Sequence, residues 1–333
     1  MASRAAAAAL VVLAMVCAAQ SSLSAAAAAG GLSPDFHAAT CPPLEQIVAL
    51  HVREAFKNDS GVAPALIRIL FHDCFPQGCD ASVLIEGPGS EQKERPNTTL
   101  RRGALDLIDR IRAAVHHACK ATVSCADITV LATRESLFLA GGPRFDVTLG
   151  RLDSFFPASP EQVKLLPAPF HNVDKLIESF GKRGLDVADL VSLSGAHTFG
   201  NGFDTNPAID HAFATTLKKN CDKDFPRGTV EQNLDRRTPD IFDNKYYFDL
   251  IAKQGLFKSD QGLIDHPATK SKATHFSLNQ GAFFDQFAKS MAKMVKMDLL
   301  TGNKGEIRAN CKVRGKPPRI QTAVDDEGIA ADM

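Results

Sequence analysis

Apolar residues recur along most of the chain at the three- and four-residue spacing of amphipathic helices. The pattern predicts helices over residues 44–57, 62–74, 105–118, 127–139, 173–182, 186–193, 244–253 and 280–297. Alternation typical of strands is weak, and residues 145–149 are the best candidate. Stretches rich in Gly and Pro predict loops at 86–96, 141–169 and 198–208. The predicted class is mainly α, with minor short β strands.

The first residues carry a different pattern. A single charge, Arg4, precedes an apolar run over residues 5–19, and small serine and alanine residues follow it. This order is typical of a secretory signal peptide, and the run falls short of the ~20 residues that a membrane span needs. We therefore expect a signal peptide at residues 1–29, a folded domain from residue 30 and no transmembrane segment.

Charge and cysteine content narrow the class of protein further. The 38 basic and 38 acidic residues balance, so nothing indicates nucleic acid as a partner. Of the eight cysteines, Cys17 lies in the expected signal peptide and seven remain. A secreted chain should hold most of its cysteines in disulfides, and an odd number leaves at least one unpaired.

The helix predicted at residues 62–74 carries two polar residues on one face, Arg68 and His72, four positions apart. Its other faces are apolar, and a buried arginine is costly unless it has a task. These faces comprise Leu66, Ile67, Ile69, Leu70 and Phe71. An imidazole can move a proton while a neighbouring guanidinium stabilises developing negative charge. The alternative is a structural Arg–Asp pair and a hydrogen-bonded core histidine, and these two residues alone do not decide between them.

Hard oxygen donors cluster directly after this pair. Calcium takes six to eight such oxygens, and loop carbonyls can complete a set of side chains. The alternative is a solvated acidic turn. The candidate donors are Asp73, Pro76, Gly78, Asp80 and Ser82.

A second histidine, His197, follows the helix predicted at 186–193 and precedes a loop that contains glycine. The position suits an axial metal ligand, and equally an ordinary histidine at a helix C-terminus. A ligating histidine usually donates its other N–H to a carboxylate, for which Asp260 is a candidate that spacing alone does not identify. A second set of oxygen donors, around a Thr-Pro turn, comprises Thr198, Asp235, Thr238 and Asp243. Asp243 also suits an N-cap of the following helix.

In these motifs the chain resembles the class III haem peroxidases, the secreted plant type. The distal motif of that family matches residues 68–82 (RILFHDCFPQGCDAS), and its proximal motif matches residues 194–200 (SGAHTFG). Further agreement lies at residues 123–128 (VSCADI), 150–154 (GRLDS), 242–247 (FDNKYY) and 305–311 (GEIRANC). The match is collinear from about Leu32 to Cys311, and several independent motifs in order are highly specific.

The resemblance implies a haem-peroxidase fold of two helical lobes that enclose one haem b. His197 would ligate the iron, and Asp260 would accept a hydrogen bond from this histidine. On the opposite face, His72 would move the proton of hydrogen peroxide and Arg68 would stabilise the separating charge. Asn97 matches the residue that orients the distal histidine.

The resemblance also implies two calcium ions and three disulfides. The distal calcium ligands are Asp73, Pro76, Gly78, Asp80 and Ser82, with Glu91 nearby through water. The proximal ligands are Thr198, Asp235, Thr238, Ile241 and Asp243. The expected disulfides are Cys41–Cys119, Cys74–Cys79 and Cys125–Cys311. A structural salt bridge joins Asp127 to Arg151.

The implied function is a secreted, monomeric haem peroxidase. It would reduce hydrogen peroxide and oxidise phenolic donors by one-electron steps, with Pro167 at the substrate-contact position. Members of the family oxidise phenolics of the cell wall and of lignin and take part in the oxidative-stress response. The expected location is the apoplast. The domain would span residues 30–311, and residues 312–333 would form a tail that could direct the protein to the vacuole.

The chain departs from the family in one disulfide. Asp204 stands where the family has the first cysteine of a fourth pair, which leaves Cys221 as an expected free thiol. The segment between His197 and Cys221 is also short, and in the family this segment borders the channel to the haem. These changes motivate an alternative, a calcium-stabilised binding protein of the haem-peroxidase fold with little turnover. A metallohydrolase using His72, Asp73 and His197 lacks the close histidine spacing of zinc motifs.

Two Asn-X-Ser/Thr sequons occur, at Asn58 and at Asn97. We expect a glycan on Asn58. A glycan on Asn97 would conflict with its expected contact to His72, so we expect Asn97 to be unmodified.

Overall fold

A computed structural model describes residues 31–202, 209–222 and 231–315. The expected signal peptide, Asp204, the side chain of Cys221 and the tail beyond residue 315 lie outside this description. The described residues form twelve α-helices. These are α1 Leu44–Asn58, α2 Val62–Cys74, α3 Arg102–Cys119, α4 Cys125–Leu139, α5 Pro160–Val163, α6 Val173–Lys182, α7 Val187–Ser194, α8 His211–Asp222, α9 Lys245–Ile251, α10 Lys258–Asp265, α11 Pro267–Leu278 and α12 Gln280–Met294. None of them is both long and apolar enough to traverse a bilayer.

Short 3₁₀ turns and one small sheet complete the described secondary structure. The 3₁₀ segments are Ser82–Leu84, Glu91–Lys93, Arg95–Asn97 and Gly195–Thr198. Strands β1 Asn201–Gly202 and β2 Gln232–Asn233 pair antiparallel, with Asn201 opposite Asn233.

The prediction of a mainly helical protein is confirmed, and all eight helices predicted from periodicity are present. The predicted strand at residues 145–149 is wrong. Only Leu149 pairs, in an isolated antiparallel bridge with Ser33. Gly150 then turns the chain at φ 112°, which prevents the ladder from continuing. Within its predicted loop at 141–169, the chain also forms the one-turn helix α5, which Ser159 caps.

Periodicity did not predict α8, α10 and α11. Helix α11 shows why, because small or polar residues such as Thr269, Ala273 and Ser277 make up most of its buried face. A helix that packs closely through small residues lacks the large apolar stripe on which the prediction depends.

The helices pack in two groups, in agreement with the two expected lobes. Helices α1, α2, α3 and α4 contact one another around α4, which is buried along almost all of its length. Helices α6, α7 and α9–α12 form the second group. One continuous apolar core joins the two groups, so the lobes are not independent domains.

Three disulfides fix the ends of the first group. They are Cys41–Cys119, Cys74–Cys79 and Cys125–Cys311, the pairs that the resemblance implied. The first joins the residues before α1 to the end of α3, and the last joins the start of α4 to the C-terminal segment. Cys74–Cys79 closes a loop directly after α2, where the candidate oxygen donors lie.

A buried ion pair ties α4 to the rest of the core. Asp127 accepts hydrogen bonds from Arg151 Nη1 at 3.0 Å, from His37 Nε2 at 2.9 Å and from the Gly150 N–H at 2.8 Å. Arg151 also donates through Nη2 to the Val295 carbonyl, at 2.6 Å, just after α12. Because both charged side chains are fully buried, the pair is costly to break from either side.

We expect Arg151→Met to lower the free energy of unfolding by about 3–5 kcal/mol, because it leaves Asp127 buried without its cation. Guanidinium unfolding of the holoprotein, followed by circular dichroism, measures the loss. Arg53→Met is the matched control, since Arg53 is 64% exposed in its pair with Glu135. Its cost should stay below about 1 kcal/mol. Equal costs for the two variants would contradict the assigned role of the buried pair.

Candidate active site

The distal side of the candidate site is built on α2 and the 3₁₀ segment Arg95–Asn97. His72 Nδ1 lies 2.6 Å from the Asn97 side-chain oxygen. The Asn97 amide nitrogen donates to the Glu91 carbonyl at 2.9 Å, so its oxygen is the acceptor for the His72 Nδ1–H. This assignment leaves Nε2 of His72, which hydrogen-bonds no described residue, unprotonated and able to accept a proton.

The electrostatic surroundings keep this imidazole neutral. Burial, and to a smaller extent the charge of the neighbouring Arg68, lower the pKa of His72 to about 3, and the hydrogen bond with Asn97 opposes both only in part. A neutral imidazole beside a guanidinium is able to accept a proton from a bound substrate.

Arg68 lies one turn before His72 and is held by the same 3₁₀ segment and the residues after it. Nη1 donates to the Thr99 carbonyl at 3.0 Å, and Nη2 donates to the Pro96 carbonyl at 3.1 Å and to the Thr99 hydroxyl at 2.7 Å. Burial lowers the pKa of Arg68, and Glu231 opposes that shift. An arginine so placed remains charged at any physiological pH.

The proximal side is built on the 3₁₀ segment Gly195–Thr198 and on α10. His197 Nδ1 lies 2.7 Å from Asp260 Oδ1, and the Tyr246 hydroxyl donates to the same oxygen at 3.0 Å. Burial lowers the pKa of His197, but the charge and hydrogen bond of Asp260 outweigh it and raise this pKa overall. The His197 side chain is 36% exposed while Asp260 is 3% exposed, so the imidazole has an open face.

Close packing fixes where His197 lies. A Cβ atom on Gly195 would come within 2.5 Å of the Phe283 ring and of the Tyr247 hydroxyl. Glycine therefore lets the segment after α7 approach α9 and α12. The ring of Phe257 meets His197 edge to face, with centroids 5.4 Å apart.

The distal and proximal residues share one interior. Arg68 is close enough to His197 for its charge to lower the pKa of that histidine. The Nδ1 atom of each histidine hydrogen-bonds a protein side chain, and neither Nε2 hydrogen-bonds a described residue. A free imidazole nitrogen oriented by a carboxylate is the arrangement of a metal-ligating histidine, so the proximal side fits the iron of a haem.

Three buried carboxylates lie together at the C-terminal end of α2 and in the segment after it. Burial and repulsion from Asp80 raise the pKa of Asp73 well above its usual value. Burial raises the pKa of Asp80 to about 6 and that of Glu91 to about 7. Oε2 of Glu91 and the neighbouring buried hydroxyl of Ser82 make no hydrogen bond of normal geometry. A divalent cation would relieve the repulsion and occupy these oxygens.

The loop that holds these oxygens depends on Gly78. Its φ is 126°, and a Cβ atom there would come within 2.4 Å of the Asp298 carbonyl oxygen. The Gly78 carbonyl accepts the Asp80 N–H at 2.9 Å, which leaves one lone pair for a further partner. Pro76 is buried in the same loop.

The second predicted donor set is also assembled. Thr198 Oγ1 lies 3.1 Å from Asp235 Oδ2 and 3.2 Å from Asp243 Oδ1. Thr238 Oγ1 lies 3.1 Å from Asp243 Oδ1. Burial, and to a smaller extent repulsion from Asp249, raise the pKa of Asp235 to about 6. The expectation that Asp243 is the N-cap of α9 is wrong, because Asn244 holds that position. Asp243 Oδ1, one residue earlier, nevertheless accepts the Lys245 N–H at 2.7 Å.

Side chains alone do not complete either site. Across the described ranges, no three His, Cys, Asp or Glu side chains are grouped tightly enough to hold a metal ion. Hydroxyl and carbonyl oxygens would have to contribute, as calcium permits. The Ile241 side chain is 50% exposed, which suits a residue that offers only its carbonyl.

Pro167 lies in the loop between α5 and α6 and is partly buried. The Ser259 N–H donates to the Pro169 carbonyl at 3.0 Å, which sets this loop against α10 beside Asp260. Sequence reasoning missed Tyr246 and Thr99 as neighbours of the site. The motif at 242–247 that matches the family contains Tyr246, but nothing in the sequence pairs this tyrosine with Asp260.

Comparison with known proteins agrees with this geometry. The peroxidase family model matches residues 48–279. The chain is 45% identical over 313 residues to Peroxidase 12 of Arabidopsis thaliana, an alignment covering 90% of this chain and 86% of that protein. It is 43% identical over 301 residues to Cationic peroxidase SPC4 of Sorghum bicolor, covering 85% and 82%. It is 38% identical over 327 residues to Peroxidase C2 of Armoracia rusticana, covering 91% and 93%. The chain therefore belongs to the class III, plant-type haem peroxidases, enzymes that act on hydrogen peroxide.

Proposed function

We propose that His72, Arg68 and Asn97 carry out the peroxide chemistry of this enzyme and that small phenols are its electron donors. The observation that supports the proposal most is the neutral imidazole of His72. Asn97 fixes its Nδ1 at 2.6 Å, and its free Nε2 lies on the interior side, one helical turn from a guanidinium.

His72 Nε2 accepts one proton from hydrogen peroxide and returns it to the departing oxygen, which leaves as water. Arg68 stabilises the negative charge that develops as the O–O bond breaks. Asn97 keeps the imidazole in the tautomer that this exchange needs. Two phenol molecules then supply one electron each, so that one peroxide and two protons become two waters.

On the proximal side, His197 Nε2 would hold the haem iron. The haem, when bound, supplies the site where peroxide reacts and where oxidising equivalents are kept. Asp260 gives His197 anionic character through the 2.7 Å contact to Nδ1, which favours the oxidised iron. Tyr246 shares the Asp260 oxygen and so moderates this effect.

Two calcium ions are the proposed occupants of the oxygen clusters. The distal ion would use Asp73, Asp80 and Ser82 with the carbonyls of Pro76 and Gly78, and Glu91 through water. The proximal ion would use Thr198, Asp235, Thr238, the Ile241 carbonyl and Asp243. The buried carboxylates with raised pKa values and the unpartnered Ser82 hydroxyl support the proposal.

The remaining proposals concern location and substrate access. Residues 1–29 act as a signal peptide, residues 30–311 form the peroxidase domain, and residues 312–333 are a tail that could send the protein to the vacuole instead of the apoplast. Pro167 contacts phenols such as those of the cell wall. Asn58, exposed at the end of α1, carries the glycan. The protein works as a monomer, and no observation favours a binding protein without turnover.

Rapid-mixing absorption spectroscopy of the haem-loaded protein tests the central proposal. Hydrogen peroxide should change the haem absorption spectrum at once. A phenol should then restore the original spectrum in two one-electron steps. A spectrum that peroxide leaves unchanged would mean that the distal pair is not competent.

His72→Leu should slow the reaction with peroxide by about 10²- to 10⁴-fold, because it removes the proton carrier. Stopped-flow rate constants at several peroxide concentrations measure the effect, and the haem absorption band confirms that the cofactor remains bound. His117→Leu is the control, since His117 is exposed on α3. A His72→Leu rate within threefold of the wild type would remove His72 from the mechanism.

Asp260→Asn should raise the reduction potential of the bound haem and lower peroxide turnover about 10- to 100-fold, because His197 loses its anionic partner. Spectroelectrochemical titration gives the potential and steady-state assays give turnover. Asp265→Asn, at an exposed carboxylate near the end of the same helix, should change neither. An unchanged potential in Asp260→Asn would show that the hydrogen bond does not tune the iron.

Metal analysis of the holoprotein should find two calcium ions per chain, with Asp80→Ala and Asp243→Ala each retaining one. Chelation should lower the thermal midpoint, because an ion that binds only the folded state stabilises it. Asp146→Ala, at an exposed residue, should keep both ions. Protein that is fully stable and active without any calcium would overturn both sites.

A further inference from the structure

The guanidinium of Arg68 is held on one side by residues 96–99. Two of its three hydrogen bonds go to backbone carbonyls, those of Pro96 and Thr99. The third and shortest, at 2.7 Å, goes to the Thr99 hydroxyl and is the contact that a substitution can remove. Three of the five guanidinium N–H groups are thereby engaged, which leaves the Nε–H and one N–H of Nη1 for other partners.

The same short segment also holds His72. Asn97 and Thr99 are two residues apart, and they bind His72 and Arg68, which are four residues apart on α2. The segment has its own supports, since the Asn97 N–H donates to the Glu94 carbonyl at 2.8 Å and the Leu100 N–H to the Asn97 carbonyl at 3.0 Å. One supported turn therefore sets the positions of both distal side chains.

We propose that Thr99 is a positioning residue for the peroxide reaction, which acts by fixing the guanidinium of Arg68 through its side-chain hydroxyl. The inference rests on the proposed role of Arg68. A guanidinium held at Nη1 and Nη2 cannot swing away from His72, so its two remaining N–H groups stay available to an anionic oxygen at the site.

This pairing also accounts for the sequon at Asn97. The motif Asn97-Thr98-Thr99 needs an asparagine and a threonine two residues apart, and both have structural tasks here. Asn97 is 2% exposed and uses its amide on Glu91 and His72, so the folded protein has no room for a glycan there. Because the site needs an amide at position 97 and a hydroxyl at position 99, the sequence Asn-X-Thr arises there without any role in glycosylation.

The test compares Thr99→Val with Thr99→Ser and Thr98→Val. Valine keeps the shape of threonine and removes the hydroxyl, and serine restores the hydroxyl. Among the described residues, the Thr98 hydroxyl hydrogen-bonds the Arg95 carbonyl, at 3.0 Å, and not Arg68. The proteins are made in bacteria and loaded with haem and calcium, so that loss of the sequon has no effect of its own. Fluoride, an anion that binds ferric haem iron, is the probe, and its affinity is read from the absorption spectrum without turnover.

Thr99→Val should weaken fluoride binding and slow the peroxide reaction by about tenfold each, since a hydrogen bond to a charged group is lost. The KM for the phenol should be unchanged, and Thr99→Ser and Thr98→Val should match the wild type. In an Arg68→Leu background the Thr99→Val change should have no further effect, because Thr99 acts through Arg68.

Wild-type values for Thr99→Val, or an equal loss in Thr98→Val, would overturn the proposal. A full Thr99→Val effect in the Arg68→Leu background would overturn it as well. If Thr99→Val does not fold, Thr99→Ala is compared with Thr99→Ser by the same two readouts. A wild-type protein that binds fluoride but does not react with peroxide would refute the proposed function, while the fluoride affinities would still decide the role of Thr99.

Discussion

The site depends on one constraint, that each of its two histidines is held by a protein partner at Nδ1 and left free at Nε2. The partners differ in charge, and that difference separates the roles. Asn97 is neutral, so burial and Arg68 dominate and the pKa of His72 falls to about 3. Asp260 is a carboxylate, so the pKa of His197 rises despite burial. In the proposed function, this difference would keep one imidazole as a proton acceptor and make the other an electron-rich ligand.

Those partners are themselves fixed by buried polar contacts. The amide of Asn97 is oriented by the Glu91 carbonyl, and a Glu91 carboxylate oxygen accepts the Ala158 N–H at 2.9 Å. Glu91 also borders the carboxylates of Asp73 and Asp80, and Asp73 follows His72 directly in the chain. A cation bound there would therefore support both ends of the His72–Asn97 contact, which gives calcium a structural connection to the distal side.

Periodicity identified the helices that bury a large apolar stripe, and the motifs predicted His72, Arg68, His197 and Asp260 as site residues. Neither could supply the contacts that form only after folding. The Tyr246 bond to Asp260 and the Thr99 bond to Arg68 join segments with no shared local pattern. The prediction of a strand at 145–149 was wrong for a different reason. The alternating pattern was present, but of these residues only Leu149 pairs with another segment of the chain.

Each critical pair in the site joins a residue on a regular α-helix to one in a 3₁₀ turn. His72 on α2 meets Asn97 in Arg95–Asn97, and Asp260 on α10 meets His197 in Gly195–Thr198. Core packing fixes the helical member, whereas short 3₁₀ segments have few hydrogen bonds of their own. The turn must then be held by its side-chain contacts, which is why the Glu91 carbonyl matters on the distal side and close packing at Gly195 on the proximal side. Substitutions in the two turns should consequently disturb the geometry of the site more than equally conservative changes on the exposed faces of α2 and α10.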